Sequence, residues 1–73
     1  MSEVAAIGAQ PQVAGFVLAG ADVHAADNAE QAREAWHALP DTVAIVILTR
    51  DSADALGADR TAPQAPLTVV LPT

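Results

Sequence analysis

The side chains that could perform chemistry in this 73-residue chain are nine carboxylates, two histidines, three arginines and several hydroxyls, with no cysteine and no lysine. A metal site needs ligands at suitable spacing, but His24 falls on a weak strand and His37 on the polar side of a helix. Ser2, Ser52 and the threonines lack the base and orienting group that an activated nucleophile requires. The sequence therefore predicts no catalytic residue, no metal and no cofactor.

A phosphoacceptor domain of the receiver type is the enzyme-like alternative. Such a domain needs an acidic pair after its first strand, an aspartate at the end of its third strand and a later lysine. This chain has Ala9-Gln10 and Thr49 at those positions, and Asp51 lies beyond the strand. A reduced receiver or small enzyme is kept as a third hypothesis, which phosphoryl labelling at Asp51, or tight binding of a nucleotide or flavin, would support.

Phosphate and nucleic-acid ligands are disfavoured by the glycines and the charges. Gly8 stands alone after the first strand, without the glycine-rich fingerprint or the lysine of a phosphate-binding loop. The three cations, Arg33, Arg50 and Arg60, cannot form the basic patch that nucleic acids require, and the net charge is −6. We therefore expect no small-molecule substrate and no nucleic-acid partner.

Membrane insertion is also not expected. The longest uninterrupted apolar run, residues 43–48, is far too short to cross a bilayer. Met1-Ser2-Glu3 has neither the positive nor the apolar region of a signal peptide. We expect one domain over residues 1–73, located in the cytoplasm.

The first half of the chain predicts strand, helix, strand. Residues 4–8 read as a buried strand, and residues 22–26 as a weaker one. Between them a helix begins around Pro11 and runs to about Ala19, with Val13, Phe16 and Val17 on one stripe. Gly20 suits the position after its last residue, where a positive φ is needed.

The second helix is the clearest element in the sequence. Asp27 and Glu30 have the spacing of a capping box, and Pro40 ends the helix. One side of this helix carries a buried stripe at helical spacing, formed by Ala32, Ala35, Trp36 and Leu39. Polar residues occupy the opposite side.

Residues 43–48 are apolar without alternation, which predicts a central strand covered on both faces. Thr49 or Asp51 caps a short third helix, with Ala53 and Leu56 turned inwards and Gly57 at its end. A polar loop over residues 58–66 leads to a fourth strand at 67–71. The resulting βαβαβαβ order predicts an α/β fold: a small three-layer flavodoxin-like domain with a four-stranded parallel sheet in the order 2-1-3-4.

The chain resembles the F subunit of the A-type and V-type (vacuolar and archaeal-type) rotary ATPases and ATP synthases over nearly all its length. The most specific match is the Gly-Phe-Val-Leu-Ala-Gly segment, residues 15–20, placed between the first helix and the second strand. Four further elements match the family in their order and spacing along the chain: the strand ending at Gly8, the capped helix at 27–39, the strand at 43–48 and the last strand.

The resemblance implies a non-catalytic role in an ion-translocating complex. The F subunit lies on the central stalk, bound to the coiled-coil D subunit, and the pair turns inside the catalytic A/B head. It helps to couple or regulate rotation, and the nucleotide sites belong to other subunits. The chain would then be peripheral to the membrane through the complex.

Two features depart from the family pattern. Members continue after the fourth strand into a C-terminal helix, whereas this sequence ends at Thr73, so we expect a short form or the N-terminal domain. Members often carry a polar or basic residue where this chain has Val17. If Val17 and Leu18 cannot both turn inwards, one of them leaves an apolar spot for a partner.

Partner contacts are predicted at the carboxyl end of the sheet and at the glycine-rich turn, on Gln10, Leu18 and Arg50. Arg50 follows the central strand, where it lies either in solvent or in a salt bridge to a partner. Gly15, Phe16 and Gly20 are assigned to the fold. The main alternative function is a free-standing flavodoxin-like regulatory or adaptor module unrelated to the ATPase, which a gene position away from the ATPase subunits would favour.

Overall fold

The computed structural model describes residues 3–61 and 65–71. Within these ranges, four strands alternate with helical segments along the chain. The strands are β1 (Val4–Gly8), β2 (Asp22–Ala25), β3 (Ile45–Leu48) and β4 (Leu67–Val70). The helices are α1 (Gln10–Val13), α2 (Ala29–Ala38) and α3 (Arg50–Leu56), with 3₁₀ helices at Ala14–Ala19 and Gly57–Thr61.

The strands form one parallel sheet in the order β2-β1-β3-β4. The register places Ala5 beside Asp22 on one neighbour and beside Val46 on the other. Because β1 and β3 are adjacent although β2 lies between them in sequence, the chain reverses its direction of winding after β2. The predicted α/β fold, consistent with a flavodoxin-like sheet order, is confirmed.

The main core lies between the sheet and the pair α2 and α3. Alternate residues of the two central strands point into it, as the two-residue period of a strand requires. The half-buried Trp36 packs against this core from α2, as predicted. The buried members of the core are Ala5, Ile7, Ala26, Ala32, Val43, Val46, Leu48, Ala53 and Leu56.

The opposite face of the sheet is covered at β1 and β2 by α1 and the 3₁₀ helix that follows it. Ala6 and Val13 are fully buried and lie outside the main core. Pro11 occupies the first turn of α1, as predicted. The predicted helical segment up to Ala19 is confirmed in extent, but its α-helical part ends at Val13 and the rest is a 3₁₀ helix.

Gly20 ends this helical segment in the way its position predicts. Its φ is 85°, and the Ala21 N–H donates to the Phe16 carbonyl at 3.2 Å. That bond joins the two ends of a Schellman motif, in which a glycine with positive φ lets the chain leave the helix.

The N-terminus of α2 differs from the prediction by one residue. Asn28 is the cap, and its Oδ1 accepts the Gln31 N–H at 2.8 Å. The Gln31 Oε1 in turn accepts the Asp27 N–H at 2.8 Å. The predicted capping box of Asp27 and Glu30 is therefore wrong. Asn28 and Gln31 have the same three-residue spacing one position later in the chain, and their side chains accept the hydrogen bonds at this helix start.

The apolar run at residues 43–48 also needs correction. The strand itself spans Ile45–Leu48, and it is central, between β1 and β4. Val46 and Leu48 are buried, whereas Ile45 and Ile47 on the opposite face are only half-buried. The prediction that this strand is covered on both faces is wrong, because the helical segment on that side runs over β1 and β2.

Candidate functional site

The carboxyl ends of β1 and β3 lie side by side and carry two of the predicted partner residues. Gln10 is the first residue of α1 and Arg50 the first of α3, and both are exposed. The structure thus brings them to one edge of the sheet. Leu18 belongs to the first 3₁₀ helix, and its side chain, like that of Val17, lies outside the described residues. The partner role of all three stays a prediction.

Thr49 and Ser52 are both buried polar residues at this end of the sheet, and Thr49 caps α3. Its Oγ1 accepts the Ser52 N–H at 3.3 Å and donates to the Ser52 Oγ at 3.1 Å. This is the N-cap of α3, so the choice left open between Thr49 and Asp51 falls on Thr49. Both hydroxyls serve the start of a helix, which is a structural use.

A cavity of about 320 Å³ opens beside this cap. Thr49 and Ser52 line it together with three acidic residues, Asp27, Asp51 and Asp54. Carboxylates repel phosphate, so the chemistry of this lining opposes a nucleotide site. Asp51, the candidate acceptor of the receiver hypothesis, lies in the first turn of α3 and is exposed.

Metal binding finds no support in the described part of the chain. Within residues 3–61 and 65–71, no three carboxylate or imidazole side chains are grouped so that they could hold an ion. His37 lies exposed on α2, and His24 is half-buried on β2, the strand at one edge of the sheet. The same ranges contain no helix with the length and hydrophobicity of a membrane span.

The feature that the sequence did not predict is an uncovered apolar surface on the sheet. We call it the open face; it consists of Ile45 and Ile47 of β3 and Leu67 and Val69 of β4. The register sets Ile45 beside Leu67 and Ile47 beside Val69, so the four side chains form two adjacent rows. Leu67 is 67% exposed and Val69 48% exposed. An exposed group of large apolar side chains is a sign of an interaction site.

Charge is distributed unevenly over the same elements. No acidic or basic residue occurs at positions 4–21, 42–49 or 61–73. These stretches include β1, α1, β3 and β4, the elements that build and border the open face. Apart from Glu3, every charged residue lies in segments 22–41 and 50–60, which include α2 and α3. In the sequence, this surface is indicated by the absence of charged residues after Arg60.

Of the comparisons with known proteins, the one with family models gives a match. No curated protein and no solved structure gives a significant match. The family described as ATP synthase (F/14-kDa) subunit matches residues 4–73, which include all four strands and the open face. The chain therefore belongs to the family of ATP synthase F subunits and is a component of a rotary ATPase.

Proposed function

We propose that this chain is a non-catalytic central-stalk subunit of a V/A-type ATPase or ATP synthase. It binds the coiled-coil D subunit of the stalk and helps to couple or regulate rotation during proton or other ion transport. Family membership over residues 4–73 is the observation that carries this proposal. The catalytic A/B head is a second contact in this proposal, and the site of action is the cytoplasmic side of the membrane.

The chemistry of the described surface supports a binding role. The hydroxyls of Thr49 and Ser52 are used in capping, and the adjoining cavity is lined by carboxylates. The open face offers large apolar side chains to a macromolecule, because a small ligand would leave most of that flat surface in water. A module that binds and does no chemistry fits this combination.

Co-expression with the coiled-coil D subunit of the same genome tests the proposal. Size-exclusion chromatography should show a 1:1 complex, and an unrelated coiled coil of the same length is the control. Addition of the chain to an A/B/D complex should also change the rate of ATP hydrolysis. Separate elution of the chain and the coiled-coil partner would contradict the stalk assignment and favour a free-standing adaptor.

A further inference from the structure

We propose that Ala14–Ala19 is a conformational switch, which converts between the 3₁₀ helix of this structure and an α-helix continuous with α1. The inference goes beyond the proposed function and does not depend on it. It concerns the backbone of one segment, which changes its length and its twist when the helix type changes.

The length of the 3₁₀ helix is the first observation. Runs of more than about three to four residues are uncommon, because the hydrogen bonds in this type of helix have poor geometry. Here the run has six residues and directly continues an α-helix of four residues. A stretch of 3₁₀ helix inside a longer helical segment often marks a hinge or strain. We therefore expect the two helix types to be close in free energy at this place.

Both ends of the segment have the hydrogen bonds of an α-helix. At its start, the Ala14 N–H donates to the Gln10 carbonyl, four residues earlier, and Ala14 has α-helical φ and ψ values of −57° and −36°. At its end, the Ala21 N–H donates to the Phe16 carbonyl across Gly20, in a motif that commonly closes α-helices. An α form would keep these two ends and would replace only the hydrogen bonds between them.

The small residues of the segment explain why the 3₁₀ form is tolerated. In a 3₁₀ helix the side chains of residues three apart eclipse one another, whereas in an α-helix they are offset. Positions 13–19 form four such pairs, and in three of them one member is glycine or alanine. Gly15 is exposed, and a β-carbon there would have no described atom within 4 Å. The crowding that disfavours long 3₁₀ helices is thus reduced by the sequence.

The two forms differ in length and in the residues that they turn towards the sheet. Six residues rise about 12 Å in a 3₁₀ helix and about 9 Å in an α-helix. The period of three in the present form places the fully buried Val13 and the half-buried Phe16 on one side. The predicted stripe of Val13, Phe16 and Val17 instead has the spacing of an α-helix. Because the segment packs on β2, conversion would alter the cover of that part of the sheet, and a contact made in only one form would shift the ratio of the two.

NMR spectroscopy of the free chain tests this proposal. A short distance from an α-proton to the amide proton two residues later is characteristic of a 3₁₀ helix, and a short distance to the amide proton four residues later is characteristic of an α-helix. Gly15→Gln adds a long side chain that is eclipsed with residue 18 only in the 3₁₀ form, so it favours the α form. Gly15→Ala is the matched control, because a methyl group adds little to that crowding. Urea unfolding checks that both variants fold.

In the wild type we expect both sets of contacts over residues 13–20, with the 3₁₀ set stronger. Gly15→Gln should weaken the contacts over two residues and strengthen those over four, while Gly15→Ala changes their ratio less. Contacts of only one helix type in all three proteins would overturn the proposal, and so would a ratio in Gly15→Gln equal to that of the wild type. Should Gly15→Gln not fold, the wild-type spectrum alone decides, because it must contain both sets.

Discussion

The Thr49 side chain fills the space beside Gly8, where the two central strands end. A β-carbon on Gly8 would overlap the Thr49 methyl group and lie 2.8 Å from its Oγ1. The same threonine caps α3, and its N–H donates to the Ile7 carbonyl at 3.2 Å. The absence of a side chain at Gly8 therefore lets the cap of α3 sit against β1.

We predict that Gly8→Ala lowers the free energy of unfolding by about 1–3 kcal/mol, because the added methyl overpacks a buried contact. Urea unfolding followed by circular dichroism measures the change. Gly15→Ala is the control, since a β-carbon there has no described atom within 4 Å. It should leave stability unchanged or raise it by up to about 1 kcal/mol through the unfolded state. Equal effects at both positions would contradict the packing argument.

Asn28→Ala should destabilise the chain by about 1 kcal/mol, because it removes the acceptor of the Gln31 N–H at the start of α2. Thermal unfolding at fixed pH is the measurement. Asp27→Asn is the control: the Asp27 backbone N–H, not its side chain, donates to Gln31 at this helix start, so its effect should stay below about 0.5 kcal/mol. A larger loss of stability in Asp27→Asn would indicate that Asp27, the residue predicted from the sequence, caps the helix.

Gly20→Ala should cost about 1–2 kcal/mol, because its φ of 85° is unfavourable for any residue with a β-carbon. Gly20→Asn should cost less, since asparagine tolerates this conformation better. The comparison of the two unfolding curves separates backbone strain from loss of packing, because a β-carbon at Gly20 meets no described atom within 4 Å. If the alanine and asparagine variants unfold alike, strain is not the cause.

The predicted partner residues at the sheet edge give a binding experiment. If the proposed complex with the coiled-coil D subunit forms, Arg50→Glu should weaken it about two- to fivefold at low salt, the range expected when an exposed ion pair is lost. High salt should reduce the difference. Arg33→Glu makes the same change of charge on the exposed side of α2 and should have little effect. An Arg50 variant that binds like the wild type would place this residue in solvent.

Much of the architecture follows from local patterns. The stripe on α2 and the inward-facing Ala53 and Leu56 of α3 lie where helical spacing puts them, and Gly57 follows α3 with a φ of 52°. The cap of α2 was predicted one residue too early, because the adjacent Asp27 and Asn28 side chains can both accept a backbone hydrogen bond. Local sequence also does not separate an α-helix from a 3₁₀ helix at Ala14–Ala19.

The open face could not be predicted from β3 itself. Ile45 and Ile47 have the same apolar character as the buried Val46 and Leu48, so the sequence of the strand is the same whether one face or both are covered. Among the described residues, the length and placement of the segment between β1 and β2 set how much of that face is shielded. The degree of cover is therefore a property of the whole fold, and the residues of the strand do not encode it.

β4 has hydrogen-bonded neighbours on one side only, and its outer face is bare, whereas β1 is bonded on both sides and buried on both faces. Resistance to amide hydrogen exchange should therefore decrease across the sheet from β1 to β4. Unfolding would then begin at β4, while β1 is still paired on both sides, so two strands of one short sheet would open at different free energies.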